Sequence, residues 1–172
     1  DPARRRIDPA GPHGGRPVLL LYRCRRLAAG LHRWRCRVYG RCRGPGPVTG
    51  TDSFFLYTER GNNYNHIAAL GIYDPSTAPD GRVRFKDILR YFGSRLGTNK
   101  VFRRRLVTVP HQFDRPYWID DADPDLEFHI RHIALPHPGD WRQLMIQVAR
   151  LHSRPLDRSR PLWEIYVIEG LD

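Results

Sequence analysis

The chain has 172 residues, enough for one domain of ordinary size or a large part of a bigger one. Its formal charge of +11 raises a nucleic-acid reading, which the charge distribution confines to the leader: residues 1–50 hold 12 arginines, no lysine and two acids, while residues 51–172 balance 17 basic against 16 acidic residues. The three cysteines, Cys24, Cys36 and Cys42, are odd in number and lack C-x-x-C spacing, which argues against a disulfide framework and a zinc site.

Residues 1–50 read as a leader that is disordered or non-native. Arg, Gly, Pro and Ala make up 30 of its 50 residues, and apolar residues recur at neither 3.6 nor 2. The run Val18-Leu19-Leu20-Leu21-Tyr22 is shorter than a secretory apolar region and arginines follow at once. A basic arm for nucleic acid or anionic lipid is the competing reading; Trp34 and Tyr39 are few, and lysine is absent. The chain begins at Asp1, its only methionine is Met145, and it stops at Asp172 behind an apolar run, so both ends read as cut.

From Thr51 the texture is that of a globular segment, 51–172. Tyr64 to Tyr73 predicts a strand buried on both faces, ended by Asp74-Pro75. Phe85, Ile88, Leu89, Phe92 and Leu96 form one stripe of an amphipathic helix over 85–96. Extended pieces follow at Val101 to Val109 and Pro116 to Ile119, then a strand over 126–135 with Phe128, Ile130 and His132 on one side. Asp140, with Gln143 three positions on, predicts the capped start of a second helix. Its inward stripe is Trp141, Leu144, Met145, Val148, Leu151 and His152. A dense strand, LWEIYVIEGL, ends the segment. This order predicts a mixed α/β layer structure.

Local constellations are weak. His129, His132 and His137 with Asp140 are spaced so that a strand points neighbours to opposite faces, against joint metal ligation. Gly93-Ser94-Arg95-Leu96-Gly97 misses the nucleophile-elbow pattern by one position. Arg103-Arg104-Arg105 reads as the wet end of a strand. Asp157 to Glu164 reads as a loop locked by Asp–Arg pairing that leads into a core strand.

In order, Thr51-Asp52-Ser53-Phe54-Phe55-Leu56, Glu59, His66, Phe102 to Leu106, Arg115 to Trp118, Phe128 to Arg131, Leu135-Pro136-x-Pro138-Gly139, Leu151 to Glu164 and Ile168 to Leu171 resemble the N-terminal half of the wax ester synthase/diacylglycerol acyltransferase family. The resemblance implies the incomplete N-terminal half of a chloramphenicol acetyltransferase-like, CoA-dependent acyltransferase fold. It implies transfer of an acyl group from acyl-CoA, as co-substrate, to diacylglycerol or a long-chain alcohol, with no other cofactor. The family's motif is His-His-x-x-x-Asp-Gly, whose second histidine would be the general base. None of the eight histidines here is followed by another, so the chain itself is expected to be inactive. Pro161, Leu162, Trp163 and Glu164 are the expected substrate contacts, because the resemblance puts this segment near the acyl tunnel. No transmembrane run is present and no nucleic-acid partner is expected. The expected location is the cytoplasm, peripheral to the membrane or lipid bodies. Peptide-condensing and polyketide-associated acyltransferases share the architecture; the Pro-Leu-Trp-Glu context favours the lipid branch.

Overall fold

A computed structural model describes residues 17–24, 46–61 and 63–172. In chain order its regular elements are β1 (Val18–Cys24), β2 (Gly46–Pro47), α1 (Gly50–Thr58), β3 (Ile67–Tyr73), α2 (Phe85–Arg95), β4 (Arg104–Val107), β5 (Tyr117–Asp120), α3 (Leu126–His129), β6 (Ile130–Ala134), α4 (Trp141–His152) and β7 (Trp163–Glu169). Among the described residues two sheets form, one in the order β3-β1-β7-β6 and a smaller one in the order β2-β5-β4.

The large sheet is mixed. β1 runs antiparallel to both β3 and β7, while β6 and β7 are parallel and joined through α4. Its two faces carry separate apolar layers. Leu19, Leu21, Tyr166 and Ile168 pack with Leu144 and Leu151 of α4. Val18, Trp163, Ile165 and Val167 pack with Ile88 of α2 and its half-buried neighbours Phe85, Leu89 and Phe92. A third cluster ties the small sheet to α1: Val48, Leu56, Leu106, Trp118 and Leu162. The result is a sheet covered on both faces, with a satellite layer at one end.

The helices at 85–95 and 141–152 lie where the periodicity put them. Asp140 caps α4 by accepting from the Gln143 amide at 2.7 Å, and Gln143 Oε1 accepts from the Gly139 amide at 2.9 Å. The stripe is narrower than expected: Leu144 and Leu151 are buried, whereas Trp141 and Met145 are 44% and 45% exposed.

Three expectations need correction, and one helix lies where the sequence predicted no element. Part of the leader is not outside the fold: Val18–Cys24 is a central strand with Leu19 at 0% and Leu21 at 1% exposure. Both its faces are covered, so it has no alternation to announce it. Residues 1–16 and 25–45 of the leader lie outside the described ones. Second, Gly50–Thr58 is a helix, capped by Thr49, which accepts from the Asp52 amide at 3.2 Å. It had no visible pattern because Asp52, Ser53 and Leu56 face inward while Phe54, Phe55 and Tyr57 face out. Third, residues 126–129 are a helical turn, because the Asp125 carboxylate caps the Phe128 amide at 3.1 Å and the strand starts only at Ile130. Last, β3 is an edge strand and not buried on both faces: Ile67, Ile72 and Tyr73 are 48%, 39% and 54% exposed.

Candidate functional site

The loop between α4 and β7 is fixed by side chains that reach far along the sequence. Asp157 accepts from the amide and hydroxyl of Ser159 at 2.9 and 2.7 Å, making a local turn. Hydrogen bonding from Ser159 comes first among the reasons its carboxyl is held below the usual range. Arg158 donates to Glu59 at 2.8 Å and to the Leu56 carbonyl at 3.1 Å, so the loop is pinned to α1. Arg160 donates to Asp125 at 3.3 Å and lies over the Phe128 ring at 4.0 Å, pinning it to α3. The Asp157–Arg160 contact itself is long, at 4.0 Å. The loop is therefore locked mainly by pairing across elements.

Pro161 forms a bridge with Arg105, and the chain then passes from the small sheet into the large one. Leu162 is buried with Leu106 and Trp118. Trp163 is 2% exposed, stacks on His129 at 4.3 Å and donates its indole N–H to the Phe102 carbonyl at 3.0 Å. Of the four expected contacts, Pro161, Leu162 and Trp163 are packed into the core and Glu164 lines a cleft.

That cleft has a volume of about 340 Å³. Its walls include Phe128, Pro155 and Leu156, and its polar groups are Arg23, Arg131, Arg154, Asp157, Glu164 and Tyr166. Glu164 is the hub. Its Oε2 accepts from Arg23 at 3.1 Å and from the Tyr166 hydroxyl at 2.8 Å, and Arg131 stands 3.9 Å from Oε1. Arg23 is fully buried and also donates to the Arg154 carbonyl. Arg131 lies over the rings of Phe128 and Tyr166 at 4.7 and 5.8 Å. Burial, followed by the bond to Glu164, pushes the Tyr166 hydroxyl above its ordinary range, so it stays a donor at neutral pH.

Two histidines back the cleft. His66 Nε2 lies 2.8 Å from the His152 carbonyl, which requires the Nε2–H tautomer. Its 3.4 Å approach to Arg23 is then a contact between two donors and not a hydrogen bond. His129 Nδ1 donates to the Trp163 carbonyl at 2.8 Å, while its buried Nε2 has no hydrogen-bond partner among the described residues. Desolvation is the main reason its pKa lies below the ordinary value of 6.5.

Chemically, the cleft can hold a polar or anionic group against guanidinium and tyrosyl donors beside an apolar wall. The residues lining it include no Ser, Thr, Cys, His or Lys. Among the described residues, no group of three or more His, Cys, Asp or Glu side chains could hold a metal ion. No helix among them is long and apolar enough to cross a membrane. Ser94 lies in α2 and donates to the Tyr91 carbonyl at 2.8 Å, away from any elbow geometry.

Arg131, Arg154 and Phe128 were legible as members of the ordered motifs but carried no sign of their role. Arg23, in the leader, had no signal at all.

Comparison with known proteins matches residues 48–172 to the wax ester synthase/diacylglycerol acyltransferase catalytic domain. The Mycobacterium tuberculosis protein named probable diacylglycerol O-acyltransferase tgs3 is 43% identical over 125 residues, 73% of this chain and 45% of its own length. The tgs2 protein of the same organism is 38% identical over 70% of this chain and 26% of its own length. The solved wax ester synthase/diacylglycerol acyltransferase of Marinobacter aquaeolei VT8 superposes with a TM-score of 0.52 at 31% identity, covering 74% of this chain and 31% of that one. The chain thus spans between about a quarter and a half of the length of these relatives.

Proposed function

The chain belongs to the wax ester synthase/diacylglycerol acyltransferase family, and from that premise we propose that residues 48–172 are one portion of an O-acyltransferase. The whole enzyme would move a fatty acyl group from acyl-CoA to diacylglycerol or a long-chain alcohol, giving triacylglycerol or wax ester. The observation that carries this reading is the family match together with the cleft at the head of β7, where Glu164 gathers Arg23, Arg131 and Tyr166.

In this reading the segment supplies a substrate wall. Glu164 orients the guanidinium and hydroxyl donors, which meet the polar end of a substrate; Phe128, Pro155 and Leu156 offer apolar surface. Pro161, Leu162 and Trp163 hold that wall from behind. The reaction needs a base to take the acceptor's hydroxyl proton as its oxygen attacks the thioester carbonyl and the CoA thiolate leaves. Residues 48–172 hold no His-His-x-x-x-Asp-Gly, so in this reading that base comes from another portion of the enzyme. Acyl-CoA is a co-substrate and no further cofactor is invoked. The setting is the cytoplasm, against a membrane or lipid-body surface where the acceptors partition.

The test is a chimera in which residues 48–172 replace the matched segment of tgs3. Formation of triacylglycerol or wax ester from labelled acyl-CoA is expected. A folded chimera that forms neither ester overturns the reading.

A further inference from the structure

Glu164 binds its neighbours through one carboxylate oxygen and leaves the other open. Both close donors, Arg23 Nη1 at 3.1 Å and the Tyr166 hydroxyl at 2.8 Å, reach Oε2. Oε1 has no hydrogen bond among the described residues; Arg131 Nη2 stands 3.9 Å from it, beyond bonding reach. The side chain is 8% exposed, yet Oε1 is not sealed: it opens on the cleft that Glu164 lines. A nearly buried charged oxygen without a donor is costly, so it selects for a group that brings one.

The gap to Arg131 is held at its width. Arg131 gives its Nε–H to the Phe128 carbonyl at 2.9 Å, and its head lies over the Phe128 and Tyr166 rings. An oxygen about 2.8 Å from both Nη2 and Oε1 spans a separation of 3.9 Å. That oxygen must accept from the guanidinium and donate to the carboxylate. A hydroxyl does both. A phosphate, a carboxylate or a thioester carbonyl only accepts and would face Glu164 oxygen to oxygen; an ammonium group only donates and would face Arg131. Pro155 and Leu156, in the same cleft, offer apolar surface to the carbon chain of an alcohol.

We propose that the cleft is the subsite of the acceptor alcohol and not of acyl-CoA, with Glu164 Oε1 taking the hydroxyl's hydrogen bond and Arg131 donating to the same oxygen. This assignment rests on the acyltransferase reading for its substrate and names which of the two substrates the wall meets.

Titrations of the full chain, followed by ligand-observed NMR, test it without turnover. Octanol and octyl methyl ether are the probes: both can accept from Arg131, and only the alcohol can donate to Glu164. Octanol should bind saturably and at least about tenfold more tightly than the ether. In Glu164→Gln the carbonyl oxygen has to stay toward Arg23 and Tyr166, which turns the amide NH2 to the cleft. The alcohol's advantage should then fall to within about twofold, a change that loss of packing alone would not produce. Coenzyme A should leave bound octanol in place. Equal affinities for alcohol and ether in the parent chain overturn the proposal. So do absence of saturable octanol binding, an unchanged preference in a folded Glu164→Gln chain, or displacement of octanol by coenzyme A. The parent comparison decides by itself if the variant does not fold. Failure here beside an ester-forming chimera removes the acceptor assignment alone; a chimera that forms no ester removes the acyltransferase reading and leaves the hydroxyl preference of the cleft standing.

Discussion

Arg23 and Glu164, 141 positions apart in sequence, form an ion pair at 3.1 Å with side-chain exposures of 1% and 8%. The pair joins β1 to β7 and forms part of the cleft wall. A buried pair of this kind is costly to break singly, because the survivor keeps its desolvation penalty without its partner. Arg23→Ala and Glu164→Gln should each lower stability by about 3–5 kcal/mol. The double variant should lose clearly less than the sum. Urea unfolding of all four proteins measures the coupling; additive losses would show that the two groups are energetically independent.

Trp163 separates packing from chemistry at the expected site. Trp163→Phe removes the indole donor to the Phe102 carbonyl and should cost about 1–3 kcal/mol, the penalty of leaving a buried acceptor unsatisfied. Trp163→Ala also empties the space against His129 and Phe102 and should cost about 3–5 kcal/mol. Midpoints of urea unfolding distinguish the two. Equal small losses would mean that the indole is not packed as described.

Stability should depend on pH through His129. Burial lowers its pKa in the folded state below the ordinary 6.5, so the unfolded chain takes up a proton first as pH falls. Stability is therefore complete above about pH 6.5 and declines as pH falls through that value toward the depressed folded pKa. Asp125 and Asp157 also have lowered pKa values, Asp125 chiefly through its bond from the Phe128 amide and Asp157 through Ser159. Their contribution is present above the ordinary carboxylate range and is lost only at lower pH. In His129→Gln the slope of unfolding free energy between about pH 6.5 and 5 should flatten, as measured by urea titrations at each pH, while the slope below about pH 4 persists. An unchanged upper slope would assign that transition to another group.

The exposed apolar residues of β3 make it an adhesive edge. Ile72 is 39% exposed beside Tyr73 at 54%, on a strand whose outer side has no partner strand among the described residues. Ile72→Lys should raise the fraction left in the supernatant at high concentration without shifting the unfolding free energy by more than about 0.5 kcal/mol, since a charge on an open edge discourages pairing between chains. A lysine variant that precipitates like the parent would place the aggregating surface elsewhere.

What the sequence disclosed follows from where each element packs. α2, α4 and β7 show their period because a helix has one dry face and a covered strand is apolar throughout. α1 hid because its aromatic residues point outward and Asp52 and Ser53 inward, the reverse of the usual pattern. β1 hid for a different reason: seven residues covered on both sides have no alternation, and their arginine-rich surroundings resembled an unstructured leader. The cleft was half legible. Glu164 stands in a dense motif, but Arg23 joins it only through the pairing of distant strands, which no local spacing encodes.

Residues 48–172, proposed as a substrate-facing portion of an acyltransferase, should work as one when built into tgs3. The most direct measurement is the initial rate of triacylglycerol and wax-ester formation by the tgs3 chimera, run beside the same chimera carrying Glu164→Gln. Ester formation within about tenfold of the parent enzyme is expected, with a rise in KM or a fall in kcat/KM of roughly tenfold or more when Glu164 loses its charge. A folded chimera that releases no ester from either acceptor would mean that the segment is not such a portion, and an active one indifferent to Glu164→Gln would remove Glu164 from the site.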